Sequence, residues 1–246
     1  MCGKNGLHWI TAGLVVGLFA MTVAVGQPSV GTSGATALPK VEAGKMALDG
    51  DAKDWTGLKP LWEEAGAKGG GMWKQTIDFK QVYVAHDGKR LWILACSSPS
   101  PDEQYRTHER SGLFELYFDM DANRDTGYQA AGPFDIAAAR GAELAVGMAA
   151  RPKGGSYQDG CRIIMALHGL NSRGKFGSDA QASPRQDSDE AGSWIAHGPD
   201  GVEMAIPLKD LNVKDGQPFR ILFGEKNQGL DSSKAVFSEA VVVVKD

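Results

Sequence analysis

The sequence has few cysteines and none of the short motifs that mark the common enzyme classes. It contains three cysteines, too few for a disulfide-rich scaffold. It has no GxSxG, HExxH or P-loop motif, and no GxGxxG that follows a predicted strand, so hydrolase, metalloprotease and nucleotide-dependent chemistry have no support. Acidic pairs such as Asp187 and Asp189 are better explained by solvated charge than by a glycosidase dyad. We therefore expect a protein that is not an enzyme.

Basic clusters and repeats are also missing. The chain carries 26 Lys and Arg against 30 Asp and Glu, a net charge of −4, with no block rich in Lys and Arg. Because phosphate binding normally needs a basic patch, nucleic acid is excluded as a partner. No internal repeat or heptad pattern is evident, and helix signals are scarce.

Only the N-terminus has a long apolar run. Lys4 precedes the run, and Ala24 and Gly26 supply small residues at the −3 and −1 positions of a cleavage site. This pattern predicts a signal peptide over residues 1–26. The alternative is an uncleaved anchor, because residues 9–26 approach the ~20 residues that span a bilayer. We expect the rest of the chain to be secreted, periplasmic or at the cell surface, with the membrane as a partner only if the anchor is retained.

The remaining sequence predicts a linker and one domain. Residues 27–40 are mostly Pro, Gly, Ser, Thr and Ala, which is typical of a linker. From 41 to 246, short apolar runs alternate with polar residues at the period of two that indicates strands. Within residues 113–119, Phe114, Leu116 and Phe118 share one face.

Turn signals separate the predicted strands. Asp87-Gly88 joins two runs, at 81–86 and 91–96, as a hairpin. Further strands are predicted at 202–206, 219–223 and 236–244, whereas residues 171–192 are polar and rich in Gly and Ser, which predicts a long surface loop. The pattern favours an all-β fold, an antiparallel β-sandwich with short helical turns.

Four motifs, in order, resemble those of the family 9 carbohydrate-binding-module-like domains, relatives of the DOMON sandwiches. The motifs are "MALDGDAKDW" at 46–55, "DFKQVYVAHDGKRLWILACSS" at 78–98, "LFELYFDMDANRDTGY" at 113–128 and "DGVEMAIPLKDL" at 200–211. The resemblance covers nearly all of residues 42–246. It implies a jelly-roll-like sandwich and a non-catalytic module that binds a poly- or oligosaccharide.

The same resemblance leaves two other functions open. Members of the wider fold group can bind haem through Met or His, so a haem-binding electron carrier is one alternative. Haem is not our expectation, since no CxxCH motif is present. The other alternative is a structural or interaction domain of a cell-surface assembly, with no small ligand.

The aspartate-rich stretch after Phe118 has two interpretations. Asp119, Asp121, Asn123 and Asp125 recur at every second position, and a tight loop at this spacing can turn several oxygens towards Ca²⁺. Alternatively, the Asp and Asn side chains cap backbone N–H groups of a rigid turn, and Gly127 supplies a positive φ. The first interpretation predicts a structural calcium ion, held by these four residues.

Tryptophans are the predicted sugar platform, because an exposed indole stacks on the apolar face of a sugar ring. Trp62, Trp73 and Trp194 lie in or beside predicted loops. The alternative for each is a hydrophobic plug at the end of the sandwich, whereas Trp55 and Trp92 are predicted to lie in the core.

Polar partners and cysteines complete the candidate residues. Arg106, Glu115 and Asn227 flank predicted strand ends and are candidates for contacts with sugar hydroxyls. Cys96 and Cys161 form either a disulfide, as an oxidising compartment allows, or two buried free thiols. The histidines show no HxxxH or HxH spacing, so the sequence does not predict zinc.

Overall fold

The protein is described from a computed structural model, which covers residues 34–63, 78–107, 114–129, 136–181, 184–225 and 237–245. The predicted signal segment 1–26 lies outside the described residues. Within the described part of the chain, no helix is long and apolar enough to cross a membrane.

The described chain forms two β-sheets and little helix. The strands are β1 (Thr36–Ala37), β2 (Trp62–Glu63), β3 (Asp78–His86), β4 (Arg90–Ser98), β5 (Phe114–Asp119), β6 (Leu144–Lys153), β7 (Ser156–Leu170), β8 (Phe176–Gln181), β9 (Gln186–Asp187), β10 (Ile195–His197), β11 (Gly201–Pro207), β12 (Pro218–Glu225) and β13 (Phe237–Val243). The helix α1 (Pro101–Thr107) follows β4, and short 3-10 turns span Ala52–Trp55 and Ala137–Ala139.

The two sheets have different sizes. The eight-stranded sheet has the order β1–β13–β12–β5–β6–β7–β8, with β9 also paired to β7. The five-stranded sheet has the order β10–β11–β4–β3–β2. Apart from the parallel pair β1–β13, the strand pairs are antiparallel. The predicted all-β antiparallel sandwich is therefore confirmed.

The main core lies between the sheets, where the period of two places every second side chain. Phe114, Leu116 and Phe118 of β5 enter this core as predicted. From the five-stranded sheet, Val82 and Ile93 pack against them in the same cluster. The alternation of apolar residues therefore identifies the face of β5 that lies between the two sheets.

The outer faces of both sheets are also covered, which the alternation did not predict. Val41, Met46 and Trp55 pack on the outer face of the five-stranded sheet. On the eight-stranded sheet, Tyr128 and the residues around Ala139 cover the outward side chains of β5 and β12. Glu115, Tyr117 and Asp119 of β5, which alternate with its core residues, are consequently buried.

The predicted linker is wrong at its C-terminal end. Residues 36–37 form β1 beside β13, and the N–H of Leu38 donates to the carbonyl of Val243 at 3.0 Å. Leu38 is buried in the main core. The next residues reach the other sheet, because the N–H of His86 donates to the carbonyl of Pro39. One apolar side chain and several backbone hydrogen bonds therefore extend the domain before residue 41.

The predicted surface loop at 171–192 also needs correction. It contains β8 and β9, which pair with β7. Strand pairing at the sheet edge orders a segment whose composition is typical of a loop, because backbone groups supply the hydrogen bonds whatever the side chains are. A turn follows β11, where the N–H of Asp210 donates to the carbonyl of Pro207.

Candidate functional site

The first and last motifs of the resemblance meet at one buried carboxylate. Glu203 of β11 is fully buried. Its Oε1 accepts the indole N–H of Trp55 at 2.9 Å, and its Oε2 accepts the backbone N–H groups of Asp49 and Gly50. Burial raises the pKa of Glu203, and these three donors oppose the rise. These hydrogen bonds hold Asp49, Gly50 and Trp55 against β11. The burial of Trp55 confirms the prediction that it lies in the core.

The aspartate-rich turn after β5 is built from side chains that accept backbone hydrogen bonds. The N–H of Asn123 donates to Oδ1 of both Asp119 and Asp121, and the N–H of Asp125 donates to Oδ1 of Asn123. Thr126 donates its hydroxyl proton to Asp121. These contacts have the capping geometry of the rigid-turn interpretation.

The carboxylate of Glu143, which lies outside the aspartate-rich stretch, also contacts this turn. Oxygen atoms of Asp119, Asp121 and Glu143 lie within 4.8 Å of one another. Oε2 of Glu143 accepts the N–H of Met120 at 2.7 Å. Burial, together with the charges of Asp119 and Asp121, raises the pKa of Glu143 to about 7. The carboxylates repel one another unless a proton or a cation lies among them.

Arginines neutralise only part of this charge. Arg220 of β12 lies 2.8 Å from Oδ2 of the fully buried Asp119 and also contacts Glu239. Arg124, which follows Asn123, pairs with Glu239 at 2.6 Å rather than with an aspartate of the turn. Arg140 pairs with Asp125 at 2.9 Å. Within the described residues, neither Asp121 nor Glu143 forms an ion pair with an arginine.

The candidate cation site therefore differs from the predicted four residues. Asp119 and Asp121 belong to the cluster of three carboxylates, whereas Asn123 accepts a backbone N–H and Asp125 pairs with Arg140. Glu143 was missed because it lies outside the repeating stretch. The fold brings it back through the segment that covers the outer face of β5, and no local spacing in the sequence signals that return.

Trp62 lies at a recess on one side of the sandwich. The indole packs against Phe223, with ring centroids 5.6 Å apart, and is half-buried on the edge strand β2. The recess holds about 40 Å³ between the sheets. Its walls are mainly apolar, and Ser238 and Glu239 of β13 are its polar members. A space of this size admits about one or two water molecules, so a larger ligand would bind across its mouth.

The other sugar-binding candidates do not gather at one place in the described structure. Trp194 is half-buried and packs on the main core just before β10. Arg106 is exposed on α1 and pairs with Asp102 at 2.7 Å. Glu115 is buried on the outer face of β5 and accepts the hydroxyl proton of Tyr117. Trp73 and Asn227 lie outside the described residues.

Cys96 and Cys161 are free thiols rather than a disulfide, but only Cys161 is buried as the second interpretation expects, whereas Cys96 is half-buried. Cys161 belongs to the main core between the sheets, whereas Cys96 packs with the cluster on the outer face of the five-stranded sheet. Since β4 itself lies between the two side chains, a disulfide would require the sheet to rearrange.

No protein-family model, curated protein or solved structure matches this chain. The resemblance to the family 9 carbohydrate-binding modules and the DOMON sandwiches therefore stays a prediction. The structure adds one observation to it, which is that the first and last of the four motifs contact each other through Glu203.

Proposed function

We propose that this chain is a secreted, non-catalytic carbohydrate-binding protein whose sugar lies across the recess at Trp62. The observation that carries the proposal is the half-buried Trp62 indole on an edge strand, held against Phe223 and facing a solvent-accessible recess. A held aromatic ring can stack on the C–H face of a sugar with little loss of side-chain entropy on binding.

A polar group beside the indole supports the same proposal. Ser238 lies on β13, on the wall of the recess that faces the indole. Its hydroxyl can bind a sugar hydroxyl by a hydrogen bond, while the ring supplies the apolar contact. The Glu239 carboxylate points to the other face of β13, because Glu239 pairs with Leu222 of the outer cluster. It binds Arg124 and Arg220 at 2.6 and 3.1 Å. The site is shallow, which suits one or two residues of a longer glycan.

A structural calcium ion among Asp119, Asp121 and Glu143 belongs to this proposal. Three carboxylates within 4.8 Å provide the hard oxygen ligands that Ca²⁺ prefers. An ion there would join the turn after β5 to the segment before β6 on the outer face of the larger sheet. Its role would be to stabilise the sandwich, because these carboxylates lie on the outer face of the larger sheet, whereas the recess at Trp62 lies between the sheets.

The test is isothermal titration of the purified protein with a panel of soluble mono- and oligosaccharides in buffer with Ca²⁺. We expect one sugar class to bind, and Trp62→Ala to abolish the heat while the fold is retained. Trp194→Ala is the matched control, because this half-buried tryptophan is remote in sequence and lies beside β10 at the other edge of the five-stranded sheet.

Each outcome of the titration decides one part of the proposal. Binding that is lost in Trp194→Ala but kept in Trp62→Ala would move the site to the β10 edge. Binding lost only in Trp73→Ala would move it to residues outside the described structure. Heats equal to dilution across the panel would overturn glycan binding, and a Soret band in the purified protein would favour the haem carrier instead.

A further inference from the structure

Three side chains with metal-ligating atoms meet on the side of the sandwich opposite Trp62. Asp102 comes from α1, Cys161 from β7 in the larger sheet, and His197 from the end of β10 in the smaller sheet. Their carboxylate oxygen, sulfur and ring nitrogen all lie within 4.8 Å of one another. Tetrahedral ligands around a zinc ion lie slightly closer than this, since each metal–ligand bond is roughly 2.0–2.3 Å.

The carboxylate is already oriented by neighbours. Oδ1 of Asp102 accepts the backbone N–H of Cys161 at 3.1 Å, and Oδ2 pairs with Arg106 at 2.7 Å. Such partners are the outer contacts that fix a metal ligand in place. Gly160 precedes the cysteine at a φ of +98°, and a Cβ there would lie 3.1 Å from Oδ1 of Asp102. The backbone therefore leaves room for the carboxylate.

The cluster of Asp102, Cys161 and His197 differs from the acidic turn in the chemical type of its ligand atoms. Exposed carboxylates often cluster without binding an ion, but here the cysteine is fully buried and the histidine is half-buried. Burial lowers the pKa of His197, which favours the neutral imidazole that binds metals. A thiol, an imidazole and one carboxylate together select a borderline-soft divalent ion over Ca²⁺ or Mg²⁺.

A catalytic Cys–His–Asp arrangement is the competing interpretation of these residues. A nucleophilic cysteine needs a lowered pKa and access to substrate. Burial raises the pKa of Cys161 to about 12, and its side chain has no exposed surface. The arrangement therefore lacks both properties of a nucleophile, and a bound cation would supply the charge that a thiolate needs.

We propose that Asp102, Cys161 and His197 form a zinc-binding site, with solvent as the fourth ligand. The ion ties α1 to one strand of each sheet, so it acts as a clamp along this side of the sandwich. Open access at the half-buried Asp102 and His197 leaves a position for water. This inference does not depend on glycan binding at Trp62.

The test is a titration of the chelator-treated full chain with Co²⁺, the usual spectroscopic substitute for Zn²⁺. We expect one equivalent to give thiolate-to-cobalt charge transfer in the near ultraviolet and the intense visible bands of tetrahedral cobalt. Zn²⁺ should displace the cobalt and raise the Tm by several degrees, because a ligand that binds only the folded state stabilises it.

Variants assign the site within the chain. Cys161→Ser and His197→Gln should each lose the charge-transfer band or weaken cobalt binding at least tenfold, whereas Asp102→Asn should weaken it less. Cys96→Ser is the matched control, because it removes the other described thiol from the opposite face of β4. Glu143→Gln controls for binding to the acidic turn. Circular dichroism and the Tm without metal establish that each variant is folded.

Three results would overturn the zinc site. One is a charge-transfer band that survives in Cys161→Ser and disappears in Cys96→Ser. Another is cobalt binding that shows no thiolate band and is lost in Glu143→Gln. The third is no change in spectrum or Tm at a tenfold excess of either metal. If Cys161→Ser fails to fold, His197→Gln and Asp102→Asn decide the question, since both leave the buried thiol intact.

Discussion

The indole N–H of Trp55 donates a 2.9 Å hydrogen bond to Oε1 of Glu203, which lies 148 residues later in the chain. The same carboxylate accepts the N–H of Gly50 at 3.0 Å. One buried side chain on β11 therefore fixes a whole segment against the outer face of the five-stranded sheet. Because a buried polar group without its hydrogen-bond partner is costly, losing any of these donors should destabilise the folded protein.

Removing the indole N–H should destabilise the protein. We expect Trp55→Phe to lower the free energy of unfolding by about 1–3 kcal/mol, because Oε1 of Glu203 is left buried without its donor. Urea denaturation checks this value. Trp92→Phe is the matched control, since its indole donates to the half-buried Asp87, which also accepts two backbone N–H groups. An equal loss in both variants would show that lost ring volume, not the hydrogen bond, determines the cost.

Gly141, beside the acidic turn, should not tolerate a side chain. Its φ is +95°, and a Cβ there would lie 2.8 Å from both the Cα of Arg124 and Oδ2 of Asp119. We expect Gly141→Ala to cost well over the ~1–3 kcal/mol of a strained backbone alone. Gly44→Ala isolates that strain, because Gly44 has a φ of +83° with nothing within 4 Å. Similar Tm values for the two variants would contradict the steric argument.

The stability of the metal-free protein should fall as the pH rises towards 7. Burial raises the pKa of Glu143 from 4.5 to about 7, so the folded state holds its proton more tightly than the unfolded state. The contribution of protonated Glu143 to the free energy of unfolding is complete below about pH 4.5 and is lost as the pH passes about 7. In a chelator, urea unfolding of the wild type and Glu143→Gln should therefore diverge across this interval. A constant difference between the two would contradict the raised pKa.

Added Ca²⁺ should reverse this pH dependence. An ion at the turn requires the ionised carboxylate, so the rise in Tm that Ca²⁺ causes should be larger at about pH 8 than at about pH 5. Glu143→Gln should abolish the rise, whereas Asp125→Asn should keep it, because Asp125 already pairs with Arg140. A rise lost in Asp125→Asn and kept in Glu143→Gln would restore the set of ligands predicted from the sequence.

The sequence predicted strands best where β-branched and aromatic residues alternate with polar ones. The hairpin β3–β4 and the buried face of β5 follow directly from that alternation and from Asp87-Gly88. The long hairpin β6–β7 was missed, because its first strand contains Ala, Gly and Pro where strand-forming residues are expected. Its existence depends on pairing between distant parts of the chain, which local propensity does not report.

Ligand groups that come from different strands were beyond sequence reasoning. Asp119 and Asp121 were found because both lie in one turn, but Glu143 arrives from the far end of a covering segment. Asp102, Cys161 and His197 are separated by tens of residues and meet only because β7 and β10 belong to facing sheets. Because each cluster joins residues that are far apart in the sequence, no local spacing pattern could have identified either cluster.

The short strand β1 and the residues after it seal the side of the sandwich near Trp62. They pair with β13 in one sheet and with His86 of β3 in the other. A shortened protein that begins at residue 41 would lose the pairing of β1 with Val242 and Val243 and leave the end of β13 as an open edge. We expect such a protein to recruit the strands of other molecules, so its aggregation would reveal the loss of β1 before its stability did.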